Sequence, residues 1–442
     1  MLLPCDLREW VPENDMVHFV IGAVEDMALD GFRVNHRGTG SKQYPPRMML
    51  SLLIYCYANG IFGSRRIEAG TYRDVAVRYL TADTHPDHDT ICKFRRENLD
   101  AVHECFVKVL ELAAEIGVLK VGTVSVDGTK IRANASKHKS LRYDRAGELV
   151  EQLDLEVKEL LEQAEAADNT ETEEGQRLPD EIARRQALKG KLEQARERIE
   201  KRAQERAEAE EAEYLKKVKE RNERKGSRKG PKPKAPSPTP KPSEQINLVD
   251  EDSRLMRKNK RSEYEQAYNA QAAVDADGSQ LVLSARVSQC ASDRNELQAD
   301  VEAIPGELGA PSAVLADSGY ASEDPVDALQ ANEIEVYVST GAEAKNQRRW
   351  HDFRPRHGSS ESSKEPKAEW LKAMKEKLQT DAGRALYARR KQTVEPVFGI
   401  VKHVMGFTQF LLRGTEKVSG EWELLTLAYN MKRLWNLKLA VV

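Results

Sequence analysis

The chain has 442 residues, 40% of them hydrophobic and 32% charged, with a formal net charge of −3. That length exceeds one ordinary core and points to two or three domains, and the near balance of charge excludes a uniformly basic nucleic-acid coat. Local basic tracks remain: residues 225–242 carry six Lys/Arg and no acids, and residues 344–391 carry fourteen Lys/Arg against six Asp/Glu. Such tracks can contact phosphates even on a slightly acidic chain.

Five cysteines, Cys5, Cys56, Cys92, Cys105 and Cys290, show no CxxC spacing, so free thiols in a reducing cytoplasm are expected. Acids stand near the amino terminus where a secretory signal would have its apolar core, and the apolar stretch Met48 to Phe62 is too short to span a bilayer. No membrane partner is expected.

Residues 1–120 read as all-helical. Pro45-Pro46 opens a helix through Ala58, and Gly60 to Gly63 ends it. Short helices follow at about Ser64 to Ala69 and Tyr72 to Tyr79. Another runs from about Thr90 to Asn98, with Asp89 as N-cap, Phe94 toward the core, and Lys93, Arg95 and Arg96 opposite. Short helices with a basic last member suit a helix-turn-helix-like DNA-binding module. A bundle whose basic face is merely solvated fits the same pattern.

A β-branched run, Thr123 to Val126, then meets Asp127-Gly128. Residues 145–224 are different in kind: Val150, Leu153, Val157, Leu160, Ala164 and Ala167 alternate spacings of three and four, and Leu188, Leu192, Ala195 and Ile199 resume the pattern. An antiparallel coiled-coil hairpin is expected there, followed by a Lys/Pro-rich linker over residues 225–246. Strand patterning restarts beyond it. Two alternating runs flank Ala276-Asp277-Gly278-Ser279, a hairpin signal. A helix at about Arg294 to Ile304, the strand Ala313 to Ala316 before Asp317, a helix from Pro325 and the strand Ile334 to Val338 complete the series. With the hairpin set aside as an insertion, residues 121–144 and 247–442 give three antiparallel strands followed by βα units. That is the order of a ribonuclease-H-like α/β domain, whose first and fourth strands lie side by side. Asp127 and Asp317 would then meet at one sheet edge.

Glu395 sits in a basic helical stretch from Tyr387 to Lys402. Three carboxylates brought together repel unless cations neutralise them, and all-oxygen ligation suits Mg²⁺ or Mn²⁺. Asp127, Asp317 and Glu395 are therefore read as a divalent-metal site, although an Asp before Gly is also commonly a turn residue. Lys402, two helical turns beyond Glu395, is placed to hold a phosphate or to be an ordinary surface lysine. Trp350, among Arg348, Arg349 and Arg354, could stack an unpaired base or anchor a loop.

Together these motifs resemble a bacterial insertion-sequence transposase of the DDE type, over nearly the whole length: Pro-Asp-His-Asp-Thr before a Lys-Phe-Arg helix, Val-Asp-Gly-Thr-Lys, Tyr-Asn-Ala-Gln-Ala-Ala-Val-Asp, Ala-Asp-Ser-Gly-Tyr and Val-Glu-Pro-Val-Phe-Gly with Lys402. The resemblance implies a catalytic triad of Asp127, Asp317 and Glu395 holding two Mg²⁺ (or Mn²⁺) ions for DNA strand cleavage and transfer. Its implied partners are double-stranded DNA, as terminal inverted repeats and target, and further copies of the chain in a homodimer or larger synaptic complex. Its implied location is the bacterial cytoplasm, at the nucleoid. Many such transposases space Tyr, Arg, Glu and Lys by two, three and six residues. Here Tyr387, Arg390 and Lys402 fit, but four residues separate Arg390 from Glu395, and Lys391 takes the three-residue spacing. Pro396 adds the expectation of a kink or a new helix start at Glu395. A nuclease or resolvase acting on branched DNA, a retired transposase kept as a DNA-binding regulator, and a coiled-coil scaffold are the rival readings.

Overall fold

The computed structural model describes residues 6–33, 43–167, 178–223, 233–258, 261–340 and 368–439. Helices α1 (Met16–Glu25), α2 (Pro46–Ala58), α3 (Ser64–Arg73), α4 (Val75–Leu80), α5 (His88–Glu97) and α6 (Leu99–Glu115) come first. After β1 (Thr123–Arg132) the chain runs through β2 (Ser140–Arg142), α7 (Tyr143–Ala167), α8 (Leu178–Glu223), β3 (Gln245–Asn247) and β4 (Arg254–Met256). Then follow β5 (Glu265–Asp275), β6 (Val282–Ser288), α9 (Leu297–Glu302), β7 (Ala313–Ala316), α10 (Glu323–Ala331) and β8 (Glu335–Val338). The last described elements are α11 (Glu369–Gln379), α12 (Asp381–Ala388), α13 (Arg390–Gly399), a π-helical turn at Ile400–Val404, and α14 (Thr415–Leu439). Two compact units result, one drawn from Met1–Asn134, Met256–Glu263 and Ala267–Val442, the other from Ala135–Leu255 and Tyr264–Gln266.

In the first unit β6, β5, β1, β7 and β8 lie in that spatial order. β5 is antiparallel to both β6 and β1, whereas β7 runs parallel to β1 and β8 parallel to β7. A helical region followed by this mixed sheet is consistent with the ribonuclease-H-like order, and the first strand does lie beside the one that ends at Asp317. All four residues of β7 are buried, as befits a parallel strand covered on both faces. The Asp-Gly turn forms between β5 and β6, and Asp277 does more than turn the chain: it accepts from Thr123 N at 2.7 Å and pairs with Arg389 at 2.7 Å. One turn residue thus ties the start of β1 to the end of α12.

Helix α14 packs against α2, α6 and β6. Its Asn430 makes a reciprocal pair with the backbone of Val282, donating and accepting at 2.8 Å, and Trp422 Nε1 donates to Gln271 O at 2.9 Å. The helices before β1 share this unit. Their bounds differ from the sequence expectation in one consequential place. The α5 N-cap is Asp87, whose carboxylate accepts from Thr90 N at 2.7 Å, and Asp89 lies inside the first turn. Phe94 stacks on Phe32 at 5.5 Å as an inward residue should, but Arg95, one turn beyond the buried Ile91, shares the buried face.

In the second unit α7 and α8 form the expected hairpin, closed at its base by the antiparallel ladder of β2 and β3. Leu141, Ala146, Val150, Leu153 and Leu192 make one cluster, and Ala195, Ile199 and Ile246 another. Leu188, expected in the seam, is 46% exposed. Crossed pairs Glu156 with Arg185 and Asp154 with Lys189 flank this stretch instead.

Among the described residues no helix is long and apolar enough to cross a membrane. Cys56, Cys92, Cys105 and Cys290 are free thiols, and Cys5 lies outside the described residues.

Candidate active site

The parallel register pairs Val124 with Val314 and Ser125 with Leu315. Continued by two residues, it sets Asp127 opposite Asp317, where β7 has ended and β1 runs on with an open edge. Asp127 Oδ1 accepts from Gly128 N at 2.9 Å, and Asp317 Oδ1 caps the short turn Ser318–Tyr320 through Gly319 N at 2.7 Å. Both acids therefore have one oxygen fixed by the backbone and the other free to face the site.

Glu395 arrives on α13, which packs on β1. A new helix does begin ahead of Glu395, but at Arg390, and it runs through Pro396 to Gly399. Pro396 lies inside α13 and cannot donate to the carbonyl of Gln392, one turn back; the Gln280 side chain, from the β5–β6 hairpin, donates to that carbonyl at 2.6 Å in its place. Beyond Gly399 the helix loosens to a π turn in which Met405 N reaches Ile400 O at 2.8 Å.

At the centre of the three acids stands Arg390. Its Nη2 is 3.0 Å from Asp127 Oδ2 and 3.9 Å from Asp317 Oδ2, and its Nη1 is 3.2 Å from Glu395 Oε1. The arginine is 8% exposed, and its buried Nε has no hydrogen-bond partner, so only the tip of the guanidinium holds it. Burial pushes the Asp127 carboxyl up to about 6; Arg390 pulls the other way, and the nearby Asp317 and Asp293 charges add to the rise. Among the described residues no three His, Cys, Asp or Glu side chains are close enough together to hold one ion. The donor set nevertheless fits a hard divalent cation, since every ligand is a carboxylate oxygen and the three already gather round a positive charge. Closing them on an ion requires the guanidinium to leave the centre.

The ambiguity between Arg390 and Lys391 has a geometric answer: Arg390 faces the acids, and Lys391 is exposed. Tyr387 donates to Ala316 O at 3.1 Å, fastening α12 to the end of β7 beside Asp317. Lys402 donates to Thr129 Oγ1 and, at 3.1 Å, to Lys130 O, so it clamps the π turn onto β1 two residues past Asp127. Burial, with Lys258 and Lys130 nearby, lowers its pKa to about 8. In α5, Lys93 and Arg96 are exposed, as are Arg65, Arg66 and Arg73 of α3, the helix packed on it. Arg95 is not on that surface: it donates to Tyr57 Oη at 2.7 Å and Phe62 O at 3.2 Å, and lies 3.8 Å from Glu421. Trp350 lies outside the described residues.

Four further residues border the site without having been singled out in the sequence as site residues. Tyr320 donates to Gln271 Oε1, which turns the Gln271 amide nitrogen toward Asp293 at 2.8 Å; Asn269 donates to the same Asp293 oxygen at 2.6 Å. A Cβ on Gly128 would stand 2.5 Å from Gln271 Nε2 and 2.6 Å from Asp293 Oδ1, so any other residue there would have to displace this layer from under the strand next to Asp127. Gln271 and Tyr320 fall in recognisable motifs. Asp293 sits in a polar turn with no pattern to mark it.

Two family matches accompany this geometry. Residues 5–97 match a transposase domain (DUF772), and residues 235–431 match a transposase DDE domain, a span that includes Asp317 and Glu395 but not Asp127. No curated protein and no solved structure matches the chain.

Proposed function

Because the chain carries a transposase DDE domain behind a DUF772 transposase domain, we propose that it binds the ends of a mobile DNA element and catalyses strand cleavage and strand transfer. The observation that carries this reading is the convergence of Asp127, Asp317 and Glu395, from β1, the end of β7 and α13, on one positive charge. Three carboxylates against one guanidinium leave an excess of negative charge that suits added cations.

Asp127, Asp317 and Glu395 are the residues to hold Mg²⁺ or Mn²⁺. Bound there, such ions would activate a water or 3′-hydroxyl and stabilise the leaving oxygen of an in-line displacement. Asp127, at the innermost position and with its carboxyl raised, would be drawn to its ionised form by a neighbouring cation. Tyr387 and Lys402 act through position, one fastening the helix that precedes Glu395 and the other the turn that follows it. Lys93 and Arg96, with the exposed arginines of the neighbouring α3, are the basic residues assigned to duplex DNA. Joining needs two ends at once, so at least two copies of the chain are assigned to the working complex.

The test is Mg²⁺-dependent nicking and joining of duplexes that end in the repeats flanking the gene. Asp127→Asn, Asp317→Asn and Glu395→Gln should each abolish both steps and spare end binding. Cleavage of branched DNA regardless of terminal sequence would favour the resolvase reading instead.

A further inference from the structure

Arg390 is placed for more than holding DNA. We propose that it couples cation loading to DNA binding: its guanidinium keeps the three acids together, yields its place to the divalent cation, and takes a DNA phosphate as its new partner. This rests on the metal-dependent reading above.

The geometry supplies each part. One guanidinium touches all three acids, at 3.0, 3.2 and 3.9 Å, so a cation cannot occupy their centre while Arg390 does. The three distances also differ in kind: two are hydrogen-bonded pairs and the third, to Asp317, is a looser contact. Nothing hydrogen-bonds Nε, so rotation of the side chain breaks only the contacts at its tip. Leaving that centre bare is the obstacle, since a buried guanidinium without partners loses its solvation. A phosphate removes the obstacle, because the planar fork matches its oxygens in pairs as well as it matches a carboxylate. The flanking residues favour that exchange. Lys391 is exposed, and Arg389, though paired with Asp277, has a half-exposed side chain, so a phosphate drawn to α13 meets positive charge on both sides of Arg390.

If cation and phosphate both act through this side chain, their affinities are linked, and each must raise the other by the same factor. The experiment uses the full chain with Mn²⁺ as the cation, free Mn²⁺ being read by electron paramagnetic resonance, and a short duplex of arbitrary sequence as the DNA. For the parent, the duplex should tighten Mn²⁺ binding on the order of tenfold, and Mn²⁺ should tighten duplex binding equally. Arg390→Gln should bind Mn²⁺ about tenfold more tightly than the parent without DNA, and its coupling should fall to roughly twofold or less. A parent-like Mn²⁺ affinity in Arg390→Gln, or a coupling left intact, overturns the proposal.

Asp127→Asn separates this failure from that of the metal reading. Should Asp127→Asn bind Mn²⁺ like the parent, the metal site itself is misassigned and the coupling falls with it. Loss of Mn²⁺ in Asp127→Asn without any gain in Arg390→Gln overturns the coupling alone. If Arg390→Gln does not fold, Arg390→Lys decides: a point charge on a single nitrogen cannot span three acids, so the same two shifts must appear in smaller measure, and unchanged values overturn the proposal.

Discussion

Two buried arginines in the same compact unit sit in opposite electrostatic situations. Arg95 joins α5 to α14 through one carboxylate, Glu421, whose other oxygen accepts from Leu411 N and Leu412 N at 2.8 and 3.0 Å, with Tyr57 between the charges. Arg390 faces three carboxylates on three elements. One centre sets a single carboxylate, held by two backbone amides, against one arginine, and leaves only Arg95 Nε without a partner; the other carries surplus negative charge at an open strand edge. The first has what a structural joint needs, and the second has what a cation-dependent site needs. Burial alone does not distinguish them, since both arginines are under 10% exposed.

The largest expected effect lies in the surplus. If Asp127 holds the proposed cation, Asp127→Asn should lose on the order of 10³-fold or more in Mg²⁺-dependent nicking, because a ligand to a catalytic metal is worth several kcal/mol in the transition state. Its unfolding midpoint in urea should stay level or rise, since the substitution removes a carboxylate that burial disfavours. A variant that nicks normally would break the comparison at its more informative end.

The balanced joint should behave the other way. Burial raises the Glu421 carboxyl, against the pull of Arg95 and of the Leu412 and Leu411 amides. Glu421→Gln leaves Arg95 buried without a counter-charge and should cost roughly 3–5 kcal/mol in urea denaturation. Whatever fraction remains folded should bind Mn²⁺ normally. A loss of less than about 1 kcal/mol would show that the joint is an incidental contact.

A third pair, with its acid buried and its arginine partly exposed, sharpens the rule. Asp300 meets Arg286 at 2.5 Å, but its second oxygen is buried without a partner, and Glu296 adds like charge. Burial pushes its carboxyl up to about 7, and Arg286 does not offset this. The raised value means that between about pH 4 and pH 7 the folded state holds a proton the unfolded state has released, so stability falls as pH rises through that window. The contribution is at most about 4 kcal/mol. Asp300→Asn should flatten the dependence of the urea midpoint between pH 5 and pH 7, and an unaltered slope would place the proton elsewhere.

Much of the fold was legible because its signals are local. The Asp-Gly turn, the strand before Asp317 and the alternating spacings of α7 each follow from a few neighbouring residues. The alignment of Asp127 with Asp317 needed only strand order, and the structure agrees. What escaped was nonlocal. Helix α14 is buried on nearly every side through its middle, Glu421, Thr426 and Asn430 as well as Trp422, Leu424, Leu425, Leu427 and Ala428, so it has no clean apolar stripe for a 3.6-residue period to reveal. Pro396 looked like a break because its remedy, the side chain of Gln280, lies 116 residues earlier in the chain. The inward turn of Arg95 escaped because its partners, Tyr57, the Phe62 carbonyl and Glu421, lie 38, 33 and 326 residues away in the chain, and an arginine on a basic helix otherwise reads as solvated.

That inward turn gives the smallest effect and the most direct contrast, because it places both kinds of basic residue on one ten-residue helix. Lys93 and Arg96 are exposed on α5, whereas Arg95 belongs to the joint with Glu421. If the exposed pair contacts DNA phosphates, each contact releases about one counterion, and Lys93→Ala with Arg96→Ala should reduce the slope of log affinity against log salt by up to about 1.8. Stability should move by less than about 0.5 kcal/mol, as for exposed substitutions generally. Arg95→Ala should do the reverse, lowering the urea midpoint as Glu421→Gln does while the protein that stays folded keeps the parental salt slope. The measurements are duplex-binding isotherms over a salt series and urea melts on the same preparations. A parental slope in the double variant would move the DNA face off α5, and a reduced slope in folded Arg95→Ala would mean that the buried arginine reaches DNA after all.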